Sequence, residues 1–389
     1  MCLMAVIIVM AVASIYLHPA KESDFLGFYD AVTAFDHGQN PYSVNAISPD
    51  DQSAVKPFIY PPYTLYLFRP FTWLGFATAA RLFLTLKLLA IGGLLYLWQR
   101  IFAMNEYRGL FYFLVPLAFS GALIADLRAG NISIFEQLVI WTGFYLYLRG
   151  KTVLFGIAIV LTALFKLTPI LLLGLLAAKW KKKELACGAI LSAVFIGLLA
   201  VSAVIWPDLF AHFTKNAHGL TGEHGEANPS TLALVTDAMH WFGAKARLTL
   251  PAIVPLAIYA LLAAGALAVS VATACRLRRM ESRQGDLWRI CLLCFAFAVI
   301  APRFKDYSYI LLIAPAFYLL SSCKWMNPLL PFSGLLLIYS YGNLQYFGKA
   351  LEPFYHAQRE YYCLLLAWTL WALCCYSIWR ETRRIPHEL

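Results

Sequence analysis

The stretch TVLFGIAIVLTALFKLTPILLLGLLAAKWKKK (residues 152–183) indicates the fold class of this chain. Its apolar part, 152–178, is long enough to cross a membrane and holds a single charged side chain, Lys166. Pro169 follows closely, and proline removes a helix hydrogen bond, so we expect two short helices broken at FKLTP. The basic block KWKKK (179–183) that ends the stretch is typical of the cytoplasmic flank of a membrane span.

The composition of the whole chain agrees with this interpretation. The 389 residues are 61% hydrophobic and 13% charged, with a mean hydropathy of +0.67, whereas soluble domains are about 25% charged. We therefore predict an all-α polytopic membrane protein, because helices satisfy their own backbone hydrogen bonds in a bilayer and the alternating strands of a barrel are absent. The apolar runs predict about 11–13 transmembrane helices. They lie near 1–17, 63–76, 77–99, 107–126, 131–148, 152–178, 184–206, 251–275, 287–301, 307–323, 327–347 and 361–379.

The net charge of +10 predicts the orientation of these spans. Basic residues form short blocks beside apolar runs, which excludes nucleic acid as a partner and places KWKKK, RLRRMESR and RETRR inside. If each middle run crosses once, other basic residues fall outside. If 63–76 dips in without crossing and 152–178 breaks in two, every basic block falls inside. We prefer that version, which puts these polar segments outside: 18–60, 126–131, Lys166, 207–250 and 301–308.

The largest polar break suggests the domain organisation. We expect an N-terminal transmembrane catalytic module (1–206, including a first outer loop, 18–60), an outer loop (207–250) and a C-terminal transmembrane module (251–389).

The nine cysteines mostly lie in or near apolar runs, so we expect buried thiols and no disulfide framework. CLLC (291–294) has no second ligand pair, and the acidic and histidine residues of 223–228 have no second His or Cys pair. We expect neither a metal nor a cofactor.

The first outer loop contains an amphipathic pattern. The stretch DFLGFYDAVTAFDHGQNPYS (24–43) places four apolar residues on one helical face: Phe25, Phe28, Val32 and Phe35. Asp24 and Asp30 lie off that face, about 120° apart around the helix. We expect a helix on the membrane surface that holds an acidic residue at the level of the lipid headgroups.

Charged residues between apolar runs form a second group of candidates. Asp126 is either functional or the partner of Arg128, and both alternatives stay open, because a charge within a membrane is costly. Lys166 is either functional or extends to the interface. Arg303 and Lys305 in APRFKDYSY lie on the predicted outer side against the insertion bias, which suggests that they bind an anion such as phosphate.

These motifs, in order, resemble the polytopic C-type glycosyltransferases, and most closely glycosyltransferase family 87. The resemblance rests on DFLGFYDAVTAFDHGQNPY followed by FIYPPYTLYLFRPF, then LRAGNISIFEQL and GIAIVLTALFKLTPILLLGLLAAKWKK. It ends with NPSTLALV and APRFKDYSYILLIAP, and it runs from about residue 20 to 320. Relatives often carry Gly-Gln where this chain has Gly130-Asn131, and some carry a histidine where RFKDY has none.

The resemblance implies a C-type glycosyltransferase fold and an inverting hexosyltransferase, mannosyltransferase-like, for cell-envelope biosynthesis. Its donor would be a polyprenyl-phosphate sugar and its acceptor a glycolipid or glycan, on the outer (periplasmic) face of a bacterial cytoplasmic membrane. Asp24 is then the expected catalytic base. The expected substrate-binding residues are Tyr29, Asp30, Tyr60, Arg128, Asn131, Lys166, Asn228, Arg303, Lys305, Asp306 and Tyr307.

Two other classes of function fit the composition. A transporter or lipid flippase explains the spans and the membrane charges, although such folds often show internal repeats that we do not find here. A non-catalytic membrane subunit leaves Asp24, Arg303 and Lys305 without a shared role.

Overall fold

The computed structural model describes residues 23–43, 58–102, 107–219, 223–225, 228–248, 253–278, 282–322 and 352–383, with a few isolated positions. The predicted runs near 1–17 and 327–347 lie, apart from such isolated positions, outside these ranges. The described ranges contain helices and turns and no β-strand, which confirms the all-α prediction.

Fifteen α-helices and two 3-10 helices make up the described architecture. The 3-10 helices are Thr168–Leu173 and Asp306–Tyr309. The α-helices are α1 Ser23–Asp36, α2 Thr64–Thr72, α3 Phe76–Phe102, α4 Arg108–Leu114, α5 Ala118–Ala129, α6 Ser133–Leu148, α7 Thr152–Ala163, α8 Gly174–Ala177, α9 Lys182–Ile205, α10 Pro207–Gly219, α11 Thr231–Ala246, α12 Ile253–Leu277, α13 Arg283–Ile300, α14 Ile310–Ser322 and α15 Glu352–Arg383.

Several of these helices have the length and composition of membrane spans. Among the described residues, four qualify: α3, α9, α12 and the Arg359–Arg383 part of α15. The bent pair α4–α5, with 56° between its halves, makes a fifth if it counts as one span. The chain is therefore a multi-pass membrane protein, as predicted, while the total of about 11–13 spans stays a prediction.

The break within 152–183 follows the predicted pattern. Helix α7 ends at Ala163, and the chain continues through the 3-10 helix Thr168–Leu173 into the short α8. The Tyr63 hydroxyl donates to the Leu164 carbonyl at 2.6 Å, which satisfies a backbone acceptor at the end of α7. Helix α2 has nine residues and a length of about 14 Å, too short to cross a bilayer, as expected for a segment that dips in.

The centre of the bundle is formed by α13 and α14. Nearly all side chains of these two helices are buried, from Leu287 to Val299 and from Ile310 to Leu320. Helix α9 has the opposite character, because most of its apolar side chains are exposed, including Ile196 and Val204. A helix that is apolar all round and exposed is suited to contact with lipid.

Helix α1 forms where the sequence predicts it, but protein covers its apolar face. The Phe25 ring stacks on Phe83 of α3 with centroids 4.5 Å apart, and Phe28 stacks on Phe68 of α2 at 4.4 Å. The Tyr29 hydroxyl donates to the Leu74 carbonyl at 2.8 Å. The face expected to rest on lipid is therefore fixed against α2 and α3, which gives Asp24 a rigid support.

The predicted outer loop 207–250 folds onto the first outer loop. Asn216 on α10 donates to the carbonyl of Tyr42 at 2.9 Å and to that of Phe58 at 3.1 Å. Helix α11 then begins with the Ser230 side chain accepting from the Ala233 amide, a conventional N-cap. The two loops thus form one layer at the same end of the bundle.

Candidate functional site

Asn131 lies at the turn between α5 and α6. Gly130 before it adopts a left-handed conformation, with φ of 66°, which glycine reaches without strain. Its amide donates to the Asp126 carbonyl at 3.1 Å and closes α5. The turn therefore presents the buried Asn131 side chain at the start of α6.

The orientation of the Asn131 amide is fixed by its neighbours. Its Oδ1 accepts from the Ser133 amide at 3.1 Å, from the Ser133 hydroxyl at 2.9 Å and from Lys166 Nζ at 3.2 Å. Three donors on the oxygen leave the Nδ2 group to face the other side. There Nδ2 donates to Asp24 Oδ2 at 2.7 Å.

Two tyrosines from distant segments reach the same Asn131 group. Nδ2 has two hydrogens, and one of them goes to Asp24. The other is shared between the Tyr60 hydroxyl at 3.4 Å and the Tyr307 hydroxyl at 3.2 Å, both of which accept from it. Within the described residues, the hydrogens of these two hydroxyls have no protein acceptor. Both can therefore donate to a ligand.

The ionisation of the two tyrosines follows from their surroundings. Burial raises the pKa of Tyr60 above its usual range, and the negative charge of Asp24 adds to the rise, while Arg303 opposes it. Burial likewise raises the pKa of Tyr307, with a further contribution from Asp24. Both groups thus remain neutral hydroxyls at physiological pH.

Asp24 occupies the first turn of α1, where a negative charge is favoured by the helix dipole. Its Oδ2 accepts the bond from Asn131, whereas its Oδ1 has no hydrogen-bond partner in the part of the chain that the structure describes. A carboxylate with one oxygen held and one available can accept a proton.

Lys166 lies in the break between α7 and the following 3-10 helix. Its Nζ is 2.9 Å from Glu136 Oε2, donates to Ser133 Oγ, and lies 5.1 Å from the centroid of the Tyr307 ring. Lys166 therefore binds within the protein and does not simply extend to the interface, the alternative left open by the sequence.

Arg303 and Lys305 come from the loop between α13 and α14. Asn228 positions this loop, since its Oδ1 accepts from the Phe304 amide at 2.9 Å and its Nδ2 donates to the Glu223 carbonyl at 3.0 Å. The Glu223 carboxylate in turn lies 2.7 Å from Arg303 Nη2 and 3.4 Å from Lys305 Nζ. The Glu223 carboxylate is thus held between these two cations.

A cavity of about 210 Å³ joins these groups. Its walls include three cations, Lys166, Arg303 and Lys305, and one carboxylate, Glu136. Tyr60 and Tyr307 also line it, and these are the two tyrosines that share the Asn131 amide with Asp24. The Asp24 carboxylate and the cationic cavity are therefore connected through one layer of side chains.

Four of the predicted site residues make none of the site contacts described so far. Tyr29 bonds the Leu74 carbonyl, and Asp306 accepts from the Tyr307 amide at the start of its 3-10 helix. Asp30 is half-buried on α1, and Arg128 is exposed at the end of α5. None of the hydrogen bonds described above involves Asp30 or Arg128.

Asp126 pairs with a residue other than the Arg128 considered from the sequence. Lys87 Nζ on α3 lies 2.8 Å from Asp126 Oδ2 and donates to the Asp126 carbonyl at 2.6 Å, with both side chains fully buried. The correction has a geometric reason, because Asp126 points into the bundle while Arg128 points out of it.

Sequence reasoning also did not assign roles to Ser133, Glu136 and Glu223, which bond the predicted residues. The signal for Glu136 was available, since a carboxylate in an apolar helix needs a partner and Lys166 lies in the next apolar run. Across the described residues there is no cluster of three or more metal-ligating side chains. His224 lies 3.2 Å from Asp237.

The fold and the site together define a multi-pass helical membrane protein whose cationic cavity is connected to a carboxylate. The family model for glycosyltransferase family 87 matches residues 58–302, more than half of the chain. The chain belongs to glycosyltransferase family 87 and is a membrane glycosyltransferase. A search of curated proteins found no match. Family membership decides against the transporter and the non-catalytic subunit.

Proposed function

We propose that this protein transfers a hexose, mannose-like, from a polyprenyl-phosphate sugar to a glycolipid or glycan acceptor on the outer face of a bacterial cytoplasmic membrane. The observation that carries the proposal is the bridge by Asn131 between Asp24 and Lys166 at the cationic cavity. One amide thus connects a candidate base to a candidate phosphate site.

The cavity suits a phosphate leaving group. Lys166, Arg303 and Lys305 converge on one small space, and cations positioned where charge develops stabilise a transition state. A polyprenyl phosphate leaves as a weakly basic anion, so it needs positive charge more than a proton. Glu136 and Glu223 keep the cations in position and reduce their net charge before the donor arrives.

The reaction is a single displacement. The acceptor hydroxyl attacks the anomeric carbon, the bond from that carbon to the phosphate oxygen breaks, and the polyprenyl phosphate leaves with the electron pair. Asp24 takes the proton of the attacking hydroxyl on Oδ1, and the anomeric centre inverts. General-base assistance of this kind contributes about 10²–10⁴-fold.

The remaining groups orient the substrates. The free hydroxyl hydrogens of Tyr60 and Tyr307 point to a role in holding sugar or phosphate oxygens between the cavity and Asp24. Asn228 supports the loop of Arg303 and Lys305 through the Phe304 amide. No step of this mechanism uses a metal.

The test is sugar transfer by the purified full chain in detergent. The donors are a panel of synthetic polyprenyl-phosphate sugars and a panel of nucleotide sugars, and a membrane extract is the source of acceptors. Asp24→Asn should lose about 10²-fold or more of the activity. The matched control is Asp36→Asn, which removes a carboxylate from the same helix but only breaks the Asp36–Arg69 pair.

Equal transfer by Asp24→Asn and the wild type would move the base to another carboxylate. Transfer only from nucleotide sugars would reject the lipid-linked donor. In both cases the glycosyltransferase class stands, because it follows from the family.

A further inference from the structure

Two further cavities adjoin each other along α13. The first, of about 360 Å³, is almost wholly apolar and lies between α8, α12 and α13. The second, of about 350 Å³, is polar and meets the first at Trp180 and Arg289, which line both. The other residues of the polar cavity are Lys179, Lys181, Arg278 and Asp286. A polar cavity beside an apolar one is suited to a molecule with a charged head and a hydrocarbon tail.

The polar cavity carries a net positive charge. Four basic side chains face one carboxylate, Asp286. Asp286 is already engaged by Lys179 Nζ at 2.9 Å and by Arg289 Nη1 at 2.7 Å. Lys181 and Arg278 therefore contribute positive charge that Asp286 does not balance, and both are exposed.

Arg289 is a built part of this site and not a surface charge. It is 4% exposed, and Nη2 donates to the Leu277 carbonyl and, at 3.1 Å, to the Met280 carbonyl. Its Nε is buried with no hydrogen-bond partner in the described part of the chain. A buried guanidinium with unused donor capacity at the meeting of the two cavities favours an anionic ligand.

Trp180 is held in an unusual conformation at the same junction. Its φ is 53°, in the left-handed region that bulky residues rarely adopt. The Arg278 guanidinium lies 4.1 Å from the centroid of its ring. Backbone strain of this kind is retained where surrounding structure requires it and often accompanies binding sites.

Helix α13 sets the distance from the cationic cavity. Asp286 in its first turn lines the polar cavity, and Phe297 near its end lines both the apolar cavity and the cationic cavity. Eleven residues of helix span about 16 Å. The polar cavity therefore lies at the start of α13, and the cationic cavity lies at its end.

We propose that these two cavities bind an anionic glycerophospholipid, with its phosphate among Lys181, Arg278 and Arg289 and an acyl chain in the apolar cavity between α8, α12 and α13. The charge complementarity selects an anionic headgroup, and the adjoining apolar walls select a lipid over a soluble anion. Such a lipid fixes the connection between α12 and α13. Helix α13 in turn leads to the loop of Arg303.

The experiment is a titration of the detergent-purified full chain with phosphatidylglycerol and with phosphatidylcholine, read by native mass spectrometry. The wild type should retain one phosphatidylglycerol in preference to phosphatidylcholine. The double variant Lys181→Gln/Arg278→Gln should bind phosphatidylglycerol about 10- to 30-fold more weakly, since each basic group near a headgroup contributes about a fivefold effect. Ala274→Phe, which fills the apolar cavity, should weaken binding as well.

The matched control is Lys182→Gln/Arg276→Gln. Arg276, in the last turn of α12, is like Arg278 an exposed arginine that stacks on a tryptophan. It lies 4.3 Å from the ring centroid of Trp379, yet it lines neither cavity. Equal weakening in the control pair would overturn the proposal in favour of a general charge effect. Displacement of phosphatidylglycerol by inorganic phosphate would overturn the proposal that the ligand is a lipid. Displacement by polyprenyl phosphate would overturn the glycerophospholipid and assign the cavities to the lipid-linked sugar donor.

Discussion

The side-chain amide of Asn131 donates to Asp24 Oδ2 at 2.7 Å while Lys166 and Ser133 occupy its oxygen, so the amide has one possible orientation. The contact joins α1 to the turn between α5 and α6, residues 107 positions apart in the sequence. Asn131 is therefore a positioning residue for Asp24 in the proposed mechanism.

Asn131→Asp should disable transfer and change its pH dependence. The new carboxylate would face Asp24 at hydrogen-bond distance, and two close carboxylates resist ionising together. We expect the rate to fall by about 10²-fold at neutral pH and the acid limb of the pH–rate profile to move to higher pH. Initial rates across pH check this, and an unshifted profile with a uniform loss would indicate a merely structural role.

Lys87 and Asp126 form a fully buried ion pair 2.8 Å apart, and its loss should destabilise the protein. Lys87→Met leaves Asp126 charged or protonated without its partner, which we expect to lower the free energy of unfolding by about 3–5 kcal/mol. The pair also supports the site, because the Asp126 carbonyl accepts from Lys87 and from the Gly130 amide before Asn131. Unfolding in detergent is the measurement.

Two further variants make that prediction specific. The double variant Lys87→Met/Asp126→Leu should recover most of the lost stability, because no buried charge remains. Arg69→Met, which breaks the exposed pair with Asp36, should cost only about 0–1 kcal/mol. Equal losses from Lys87→Met and Arg69→Met would contradict the weight given to burial.

Much of the fold could be predicted because its signals are local. The face of Phe25, Phe28 and Val32 predicts α1, and Pro169 predicts the break after α7. What covers that face was not predictable, since Phe68 and Phe83 offer apolar surface just as lipid does. The long-range packing that decides between them leaves no local pattern.

Several members of the candidate site were expected from the sequence, whereas the residues that bond them were given no role. Asn131 and Lys166 stand out as polar residues in apolar runs, and Arg303 and Lys305 stand out as cations between two such runs. Lys87 does not, because one lysine in a long helix can also extend to the interface, and its partner lies 39 residues away. Pairings of this kind depend on how helices pack and not on spacing.

The variants Arg303→Gln and Arg128→Gln should differ sharply in transfer activity. Arg303 lines the cationic cavity and binds Glu223, so Arg303→Gln should lower kcat/KM for the lipid-linked donor by about 10²-fold. Arg128 is exposed and outside the network, so Arg128→Gln should leave transfer nearly unchanged. Steady-state kinetics with varied donor provide the comparison. The opposite ranking would place the phosphate site at the end of α5.

Asp30→Asn should keep most of the transfer activity and stabilise the protein at neutral pH. Burial raises the pKa of Asp30 above its ordinary value of 3.8. At a pH between the ordinary pKa and the raised pKa, the folded state binds more protons than the unfolded state. Stability therefore falls as pH rises through the folded pKa. At neutral pH the ionised, half-buried Asp30 therefore costs stability, and asparagine removes that cost. The difference in unfolding temperature between variant and wild type should vanish at a pH below the ordinary value, where aspartic acid is protonated in both states. Loss of transfer in Asp30→Asn, with Asp24→Asn still active, would assign the base to Asp30.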